Sequence, residues 1–220
     1  MEIKQLIELM LEGTGESLYM TLVSTGLAYL FGVPLGVVLF ITDKDGIAEN
    51  KTLNSILGML VNLLRSVPFI ILLVAILPFT RFVVGTTIGA TATIVPLVVA
   101  ATPFVARMVE SSLKEVNGGV IEAALSMGSN NFQIITKVLL PEAKPSLIVG
   151  STIAITTILG YSAMAGFVGG GGLGAIGINY GYYRYQEDIM LITVVLLVLV
   201  VQVFQETGMK IANRTDKRRR

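Results

Sequence analysis

The chain has 220 residues, of which 53% are hydrophobic and only 14% are charged, and its formal net charge is +1. Soluble domains carry about a quarter charged residues, so this composition excludes an ordinary soluble protein and indicates a membrane protein. The sequence contains no Cys and no His, which removes thiol chemistry, the usual general base and the commonest metal ligand, so no catalytic residue, metal site or cofactor is predicted.

Residues 1–13 are the first predicted element. Their apolar residues follow the i, i+3, i+4, i+7 spacing of an amphipathic helix: Ile3, Leu6, Ile7, Met10 and Leu11. The segment is too short to span a bilayer, and it lacks the basic head and the small-residue cleavage site of a signal peptide. We therefore expect a helix that lies on the membrane surface or against its neighbours.

Five later segments are apolar and long enough to cross a bilayer, which takes about 20 residues. They are residues 18–41, 53–78, 85–105, 145 to about 168, and 189–207. The third and fourth are rich in Gly, Ala, Ser and Thr, which let helices approach closely. The predicted fold class is an all-α membrane protein with five transmembrane helices, an N-terminal interfacial helix and short helices between the third and fourth spans.

The second span contains three polar residues well inside it, Asn62, Arg65 and Ser66. A cation near the middle of a bilayer is costly and usually faces a partner group or a wet cavity, although a long basic side chain can also extend to the nearer interface. Pro68 frees a backbone carbonyl one turn earlier, and the side chain of Arg65 or Ser66 could satisfy it. We therefore favour a buried role for Arg65, on a polar path or in an ion pair that locks helices together.

A water-compatible stretch from Glu122 to Pro141 separates the third and fourth spans. The pattern predicts one short helix over Val120–Met127 and a left-handed C-cap at Gly128. Either Ser129 or Asn130 can then cap a second short helix, which is predicted to end with the stretch at its proline. Two short helices that meet at a glycine turn would form a rigid knob that fits a groove on a partner protein. Periodicity alone is equally consistent with a solvated loop.

Met164 lies near the outer end of the fourth span. A flexible methionine can plug an apolar constriction, but composition alone favours a lipid-facing or core-filling side chain.

Residues 166–177 contain seven glycines. Such a run does not stay helical at low cost, and the Gly-Lys-Ser/Thr of a phosphate-binding P-loop is absent. We predict a re-entrant or outer loop in which backbones pack closely, and no nucleotide site. The aromatic residues that follow form either an interfacial belt or a face for an external partner. They are Tyr180, Tyr182, Tyr183 and Tyr185.

The knob between the third and fourth spans resembles a known motif. Glu-Ala-Ala is followed after three residues by Gly, and after nine more by Val-x-Leu-Pro. This spacing resembles the EAA motif of the membrane subunits of ATP-binding-cassette importers. That family usually has Ile at the position of Val138, which is a conservative difference.

The resemblance to the EAA motif implies roles for individual residues. Residues 107–143 would form a cytoplasmic coupling loop that docks on an ATPase subunit, so the expected short helices would be cytoplasmic coupling helices. Glu122 would be the polar anchor of this contact, although a solvated Glu is the alternative. Ala123, Ala124 and Gly128 would shape the docking surface.

The distribution of basic residues orients the chain. With the C-terminus in the cytoplasm, the inner segments hold twelve Lys and Arg residues and the outer segments hold three. The positive-inside rule then places the N-terminus outside and the coupling loop inside. The basic run Lys217–Arg220 could in principle bind nucleic acid or lipid headgroups, but beside a span it most simply fixes the topology, and no nucleic-acid partner is predicted.

Three further stretches, residues 65–73, 156–174 and 180–183, resemble the permease of the methionine importer family, and the resemblance covers nearly the whole chain. It implies a bacterial cell membrane location, a homodimer, two copies of a cytoplasmic ATPase subunit, and an extracellular lipoprotein that delivers D- or L-methionine. Met164 would be a gate residue at the outward end of a closed path. The Gly run and the Tyr cluster would lie where the lipoprotein docks.

These expectations divide the chain into an amphipathic helix at 1–13, a transmembrane domain at 14–208 and a basic cytoplasmic tail at 209–220. A permease for another solute is the closest alternative. A stand-alone secondary carrier would be expected to show internal repeats and intramembrane acids, yet the only acid within a span is Glu206. An intramembrane enzyme would need a Ser-Lys pair, and no Lys lies within a span.

Overall fold

The computed structural model describes residues 3–216. Its α-helices are α1 (Ile3–Thr42), α2 (Lys51–Ser66), α3 (Phe69–Ala75), α4 (Leu77–Val84), α5 (Ala90–Lys114), α6 (Gly118–Ser126), α7 (Asn131–Ile134), α8 (Leu140–Glu142), α9 (Lys144–Met164), α10 (Gly172–Ile176) and α11 (Glu187–Thr215). A π-helical turn at Ile135–Leu139 follows α7, a 3-10 turn at Ala165–Val168 follows α9, and a second π-helical turn at Gly177–Tyr182 follows α10.

The predicted all-α membrane fold is confirmed. Four helical stretches are long and apolar enough to cross a membrane: Ile3–Thr42, Ala90–Lys114, Lys144–Tyr182 and Glu187–Thr215. The bent pair of α2 and α3 would be a fifth span. Within residues 3–216 no β-strand is present.

The first of two compact units consists of Met1–Ala28, Val67–Ala101 and Ala154–Gln205. Four side chains that are at most 7% exposed form a core cluster in it: Met10, Leu173, Ile176 and Ile189. Elsewhere in this unit the rings of Phe69 and Tyr161 stack with their centroids 4.5 Å apart. Burial of such apolar side chains contributes about 1.5–3 kcal/mol each, so this core fixes α1 against α10 and α11.

The second unit consists of Tyr29–Ser66, Thr102–Ile153 and Glu206–Arg220. Leu39, Val61 and Ala106 form its core cluster. Here α1 lies close to α5, because a Cβ at Gly36 would come within 2.5 Å of the Ala106 carbonyl oxygen. The Asn54 side-chain amide also donates to the Leu39 carbonyl oxygen at 2.7 Å, which ties α2 to the end of α1.

Residues 1–13 are not a separate helix on the membrane surface, and they pack against neighbouring helices, which was the other predicted alternative. α1 runs without a break from Ile3 to Thr42 and passes through Gly13 and Gly15. A glycine inside a helix costs only about 1 kcal/mol, and burial of Met10 in the first unit's core outweighs that cost. The Thr14 hydroxyl also donates to the Met10 carbonyl oxygen at 2.7 Å, and α1 continues through this turn.

The predicted single span at 53–78 consists of separate helices. α2 ends before Pro68, and Pro68 caps α3, while Pro78 lies in the first turn of α4. Proline has no N–H to donate and restricts the residue before it, so it is tolerated at helix starts and breaks a helix elsewhere.

The ends of two other predicted elements also differ. The third span begins and ends later than the predicted 85–105, because Gly85 and Gly89 have positive φ and α5 starts only at Ala90. The predicted tail at 209–220 begins inside α11, which continues to Thr215, and Lys217–Arg220 lie outside the described residues.

The sequence predicted that the second short helix of the knob ends at Pro141, but it does not. The π-helical turn at Ile135–Leu139 intervenes, and Pro141 then lies in the first turn of α8. At that position its missing N–H needs no partner, so the chain continues as helical turns towards α9.

The glycine-rich segment is helical except at residues 169–171, which corrects the prediction of a loop over its whole length. It forms the 3-10 turn, α10 and the second π-helical turn. The predicted close packing of backbones is confirmed, because a Cβ at Gly174 would overlap the carbonyl oxygen of Ala163. Tertiary contacts that only glycine permits therefore offset its poor helix propensity here.

Candidate functional site

The knob is a pair of short helices whose ends are capped by their own residues. The Asn117 side chain accepts a hydrogen bond from the Gly119 amide at 2.8 Å, which caps α6. Gly128 has a φ of +78°, as predicted. Its amide donates to Leu125 O at 2.9 Å, and the Ser129 amide donates to Ala124 O at 3.1 Å. This pair of bonds is a Schellman motif, which rigidly ends the helix.

The next helix begins with a capping box. The Asn130 side chain accepts from the Gln133 amide at 2.9 Å, and the Gln133 side chain accepts from the Asn130 amide at 3.0 Å. Of the two predicted caps, Asn130 is therefore the one used. The backbone groups at both helix ends around Gly128 therefore have hydrogen-bond partners. These bonds hold the turn in one conformation and make the knob rigid.

The exposed surface of the knob differs in one residue from the predicted docking set. Glu122, Ala123 and Gly128 are exposed. Ala124 is only 3% exposed, so it faces the chain's own interior and cannot touch a partner directly. The largest exposed apolar side chains of the knob are Met127 at 79% and Phe132 at 74%, and Phe132 was not among the predicted docking residues. They flank the glycine turn and give the knob an apolar tip.

The knob is anchored to the rest of the second unit through buried apolar residues. Ile134 and Leu139 are at most 1% exposed. At the start of α9 the Ser146 hydroxyl donates to the Ser112 hydroxyl of α5 at 3.1 Å. The knob is therefore continuous with α9, and a hydrogen bond ties α9 to α5.

A network of charged residues lies beside the knob and was also missed. Glu110 is 6% exposed and accepts from Arg107 Nη1 at 2.6 Å and from Lys114 Nζ at 2.8 Å. Lys114 also reaches Asp43 Oδ2 at 2.9 Å. The hydrogen bond from Lys114 is the main reason that the pKa of the Asp43 carboxyl lies below its ordinary value. The i, i+3 and i, i+4 spacing of these charges on α5 was the available signal.

The same arginine ties α2 to α5. Arg107 Nη2 donates to the Gly58 carbonyl oxygen at 3.1 Å and to Asn62 Oδ1 at 3.0 Å. The guanidinium therefore binds a buried carboxylate on its own helix and two acceptors on a neighbouring helix. Such a forked contact fixes the rotation of α2 about its axis.

Arg65 was predicted to be buried, but no part of residues 3–216 covers it. Arg65 and Ser66 are both exposed, at the last turn of α2. The Ser66 hydroxyl donates to the Asn62 carbonyl oxygen at 2.8 Å, not to the carbonyl one turn before Pro68. The helix ends before Pro68, so the steric conflict that would have freed that carbonyl does not arise.

Met164 is the last residue of α9 and is 40% exposed. The peptide before it packs against α10, since Ala163 lies where a Cβ of Gly174 would project. α10 is in turn held by two α1 residues that the sequence analysis missed. Glu16 accepts from the Gly172 amide at 2.6 Å, and Ser17 accepts from the Leu173 amide at 2.9 Å. The only feature of the sequence that could have indicated these contacts is an acidic residue directly before the first apolar stretch.

Among residues 3–216 no three His, Cys, Asp or Glu side chains are grouped so that they could hold a metal ion. The geometry instead offers a rigid exposed knob, a charge network that joins α1, α2 and α5, and a methionine at a helix end.

Comparison with known proteins places these features in context. A family model described as "Binding-protein-dependent transport system inner membrane component" matches residues 10–212. The chain is 51% identical over 211 residues to a protein of Vibrio cholerae serotype O1 named "Probable D-methionine transport system permease protein MetI", covering 96% of this chain and 94% of that one. It is 44% identical to the Bacillus subtilis "Methionine import system permease protein MetP", covering 93% and 92%.

Solved structures share the fold. A chain from a structure titled "Inward facing conformations of the MetNI methionine ABC transporter" superposes with a TM-score of 0.96 at 46% identity, covering 99% of this chain and 100% of that one. A chain from "Crystal structure of an amino acid ABC transporter with histidines" superposes with a TM-score of 0.78 at 17% identity, covering 97% and 99%, and this second match supports the fold alone.

Proposed function

Because this chain belongs to the family of binding-protein-dependent transport system inner membrane components, we propose that it is the permease subunit of an ATP-driven importer of methionine. The observation that carries the substrate is that relatives named for methionine transport match the chain over nearly its whole length. The chain is not an enzyme. A separate ATPase subunit hydrolyses ATP, and this chain supplies the path across the bacterial inner membrane.

The chain is oriented with its N-terminus outside and its C-terminus in the cytoplasm. The excess of Lys and Arg in the segments that then lie inside supports this orientation. It places the knob, the loop that carries Asp43, and the C-terminal end of α11 on the cytoplasmic side. The glycine-rich segment and the Tyr cluster then lie on the outside, where a substrate-binding lipoprotein would dock.

The knob is the element that couples the permease to its ATPase. Its exposed apolar tip, Met127 and Phe132, inserts into a groove on the ATPase, and Glu122 adds a polar contact at the side. Ala123 keeps the contacting face slim. Ala124 and Gly128 act indirectly, the first by packing inside the chain and the second by setting the turn.

Two copies of the chain form the path together with two ATPase subunits. A single copy has too few spans to enclose a symmetric pathway, so a homodimer is expected. When the ATPase subunits close on ATP, each knob moves with its ATPase, and α5 and α9 carry that motion into the membrane. The path then opens to the outer binding protein, and hydrolysis resets it. Met164, exposed at the outer end of α9, closes the path at rest.

Co-purification tests this function. The chain is expressed with its cognate ATPase subunit, the tagged permease is isolated, and ATP hydrolysis is measured with the binding lipoprotein and methionine. We expect two copies of each subunit and hydrolysis that methionine-loaded lipoprotein stimulates. Glu122→Lys should weaken the complex, and Glu122→Gln serves as the matched control that removes the charge without reversing it.

The outcomes separate the alternatives. If the complex assembles but methionine does not stimulate its ATP hydrolysis, the chain belongs to an importer of another solute. A chain that binds no ATPase and moves substrate down an ion gradient would instead be a secondary carrier.

A further inference from the structure

The polar residues of α2 are confined to one side of the helix. At about 100° per residue, six of its seven polar side chains fall within an arc of about 120°. We call this arc the polar sector: Lys51, Asn54, Ser55, Asn62, Arg65 and Ser66. Gly58 lies within the arc, and Thr52 is the one polar residue outside it. The rest of the surface is apolar, and Val61 faces the core of the second unit.

Contacts within the chain do not cover the polar sector. Ser55, Asn62, Arg65 and Ser66 are all exposed. The opposite side of α2 is exposed too, but it is apolar, with Ile56 50% and Leu60 46% exposed. A helix in a membrane region can leave apolar side chains in lipid, whereas amide, hydroxyl and guanidinium groups there are costly. The two sides of α2 must therefore face different surroundings.

A hollow of about 580 Å³ lies along the polar sector. Asn54, Ser55, Asn62 and Ser66 line it from α2, and Arg107 lines it from α5. Arg107 does not bring an unbalanced charge, because buried Glu110 binds it at 2.6 Å. The hollow is therefore polar without a strong fixed charge, a surface that suits water and a solute with no net charge.

The edge of the hollow is apolar. Met59 and Leu63 border it one turn apart. A solute that has both an ammonium-carboxylate end and an apolar side chain matches this arrangement, since its charged end can lie on Asn62 and Ser66 while its side chain packs on the border.

We propose that the polar sector of α2, with Arg107, lines the water-filled cytoplasmic part of the translocation path and is where a zwitterionic amino acid with an apolar side chain leaves the permease. The proposal rests on the proposed function and adds the surface along which the substrate passes. Arg107 is a positioning residue here, because its bonds to Gly58 and Asn62 hold the rotation that turns the polar sector towards the path.

The absence of Cys from the chain makes a direct test possible. Single cysteines are introduced as Ser55→Cys and Ser66→Cys in the polar sector, with Ile56→Cys and Leu60→Cys as matched controls on the apolar side. The permease is assembled with its ATPase in inside-out membrane vesicles, with native ATPase cysteines replaced. A charged, membrane-impermeant thiosulfonate is then added from the cytoplasmic side, and the labelled fraction is followed by mass spectrometry.

We expect both polar-sector cysteines to react at least about tenfold faster than both controls, because a thiol in a wet path forms the reactive thiolate and a thiol in lipid does not. Trapping the ATPase dimer closed should slow labelling of the polar sector and leave the controls unchanged. Equally slow labelling of all four positions would overturn the proposal and mean that protein covers the sector. Equally fast labelling would overturn it as well.

Failure here can be told apart from failure of the proposed function. The cysteine-free parent is first required to assemble with its ATPase and to show methionine-stimulated hydrolysis. A parent that fails this requirement refutes the importer. A parent that passes, combined with labelling that does not distinguish the two sides of α2, refutes only the assignment of the path.

Discussion

Glu16 and Gly172 are 156 positions apart in the chain and are joined by a hydrogen bond in which the glycine amide donates to the Glu16 carboxylate at 2.6 Å. Gly172 has a φ of +79°, which only glycine adopts without strain, and a Cβ there would overlap Ser17 of α1. The glycine-rich segment is thus shaped to lie on α1, and the carboxylate and hydroxyl of α1 satisfy the amides at the start of α10.

Loss of the Glu16 carboxylate should loosen α10. A hydrogen bond to a charged group contributes about 1.5–3 kcal/mol, so Glu16→Ala should raise amide exchange at Gly172 and Leu173 by about tenfold to a hundredfold. Glu12→Gln is the matched control, since Glu12 lies one turn earlier on α1 and is exposed. Hydrogen–deuterium exchange on the detergent-solubilised complex measures the effect. Unchanged exchange in Glu16→Ala would mean that packing alone holds α10.

Gly128→Ala should uncouple the permease from its ATPase. The residue has a φ of +78°, where adding a side chain destabilises the turn by about 1–2 kcal/mol. The variant must either keep this strained conformation or change the shape of the knob. Gly118→Ala is the matched control, because Gly118 has no positive φ and its Cβ would meet nothing within 4 Å. Methionine-stimulated ATP hydrolysis should fall severalfold in Gly128→Ala only. Equal activity of the two variants would contradict the role of the turn.

Phe132→Ala should weaken ATPase binding without unfolding the chain. The side chain is 74% exposed, so its loss leaves no cavity, while truncation of a central apolar contact in an interface costs about 2 kcal/mol. Retention of the ATPase during affinity purification, measured against salt and dilution, reports the loss. Phe167→Ala is a control of the same chemistry, because Phe167 is 56% exposed and lies beyond α9. If both variants retain the ATPase equally, the apolar tip is not the anchor.

The Asp43–Lys114 contact should make stability depend on pH. The hydrogen bond from Lys114 lowers the folded-state pKa of Asp43 below its ordinary value of 3.8. Its contribution is therefore fully present above pH 3.8 and is lost as the pH falls through the lowered folded-state pKa. Both side chains are more than a third exposed, so the contribution is below about 1 kcal/mol.

Thermal unfolding of the solubilised complex at several pH values tests this contact. Asp43→Asn should lower the midpoint at pH 7, and the difference from the unmodified chain should vanish in the most acidic buffers. Asp45→Asn is the control, because asparagine tolerates the positive φ of 62° at that position. A difference that persists unchanged at low pH would assign the effect to something other than the carboxylate.

The sequence predicted those features that depend on neighbouring residues. Gly128 and Asn130 cap helices through bonds to residues within a few positions, so their roles could be read from local spacing. Distant residues determine that the Ala124 side chain faces the interior and that most of the glycine-rich segment is helical. Glu16 lies 156 positions from its partner, and Arg107 lies 49 positions from Gly58. No periodicity reports such contacts, because tertiary packing overrides local propensity.

Met164→Ala should raise leakage if this side chain closes the path. Met164 ends α9 and is 40% exposed, and the peptide before it is held against α10, so a shortened side chain would leave a gap that backbone movement does not fill. Uptake of labelled methionine into proteoliposomes without ATP or binding protein should increase severalfold. Met209→Ala is the matched control, since Met209 is 42% exposed and lies near the cytoplasmic end of α11. Equal leakage in the two variants would make Met164 a packing residue, and the path would then have to be closed elsewhere.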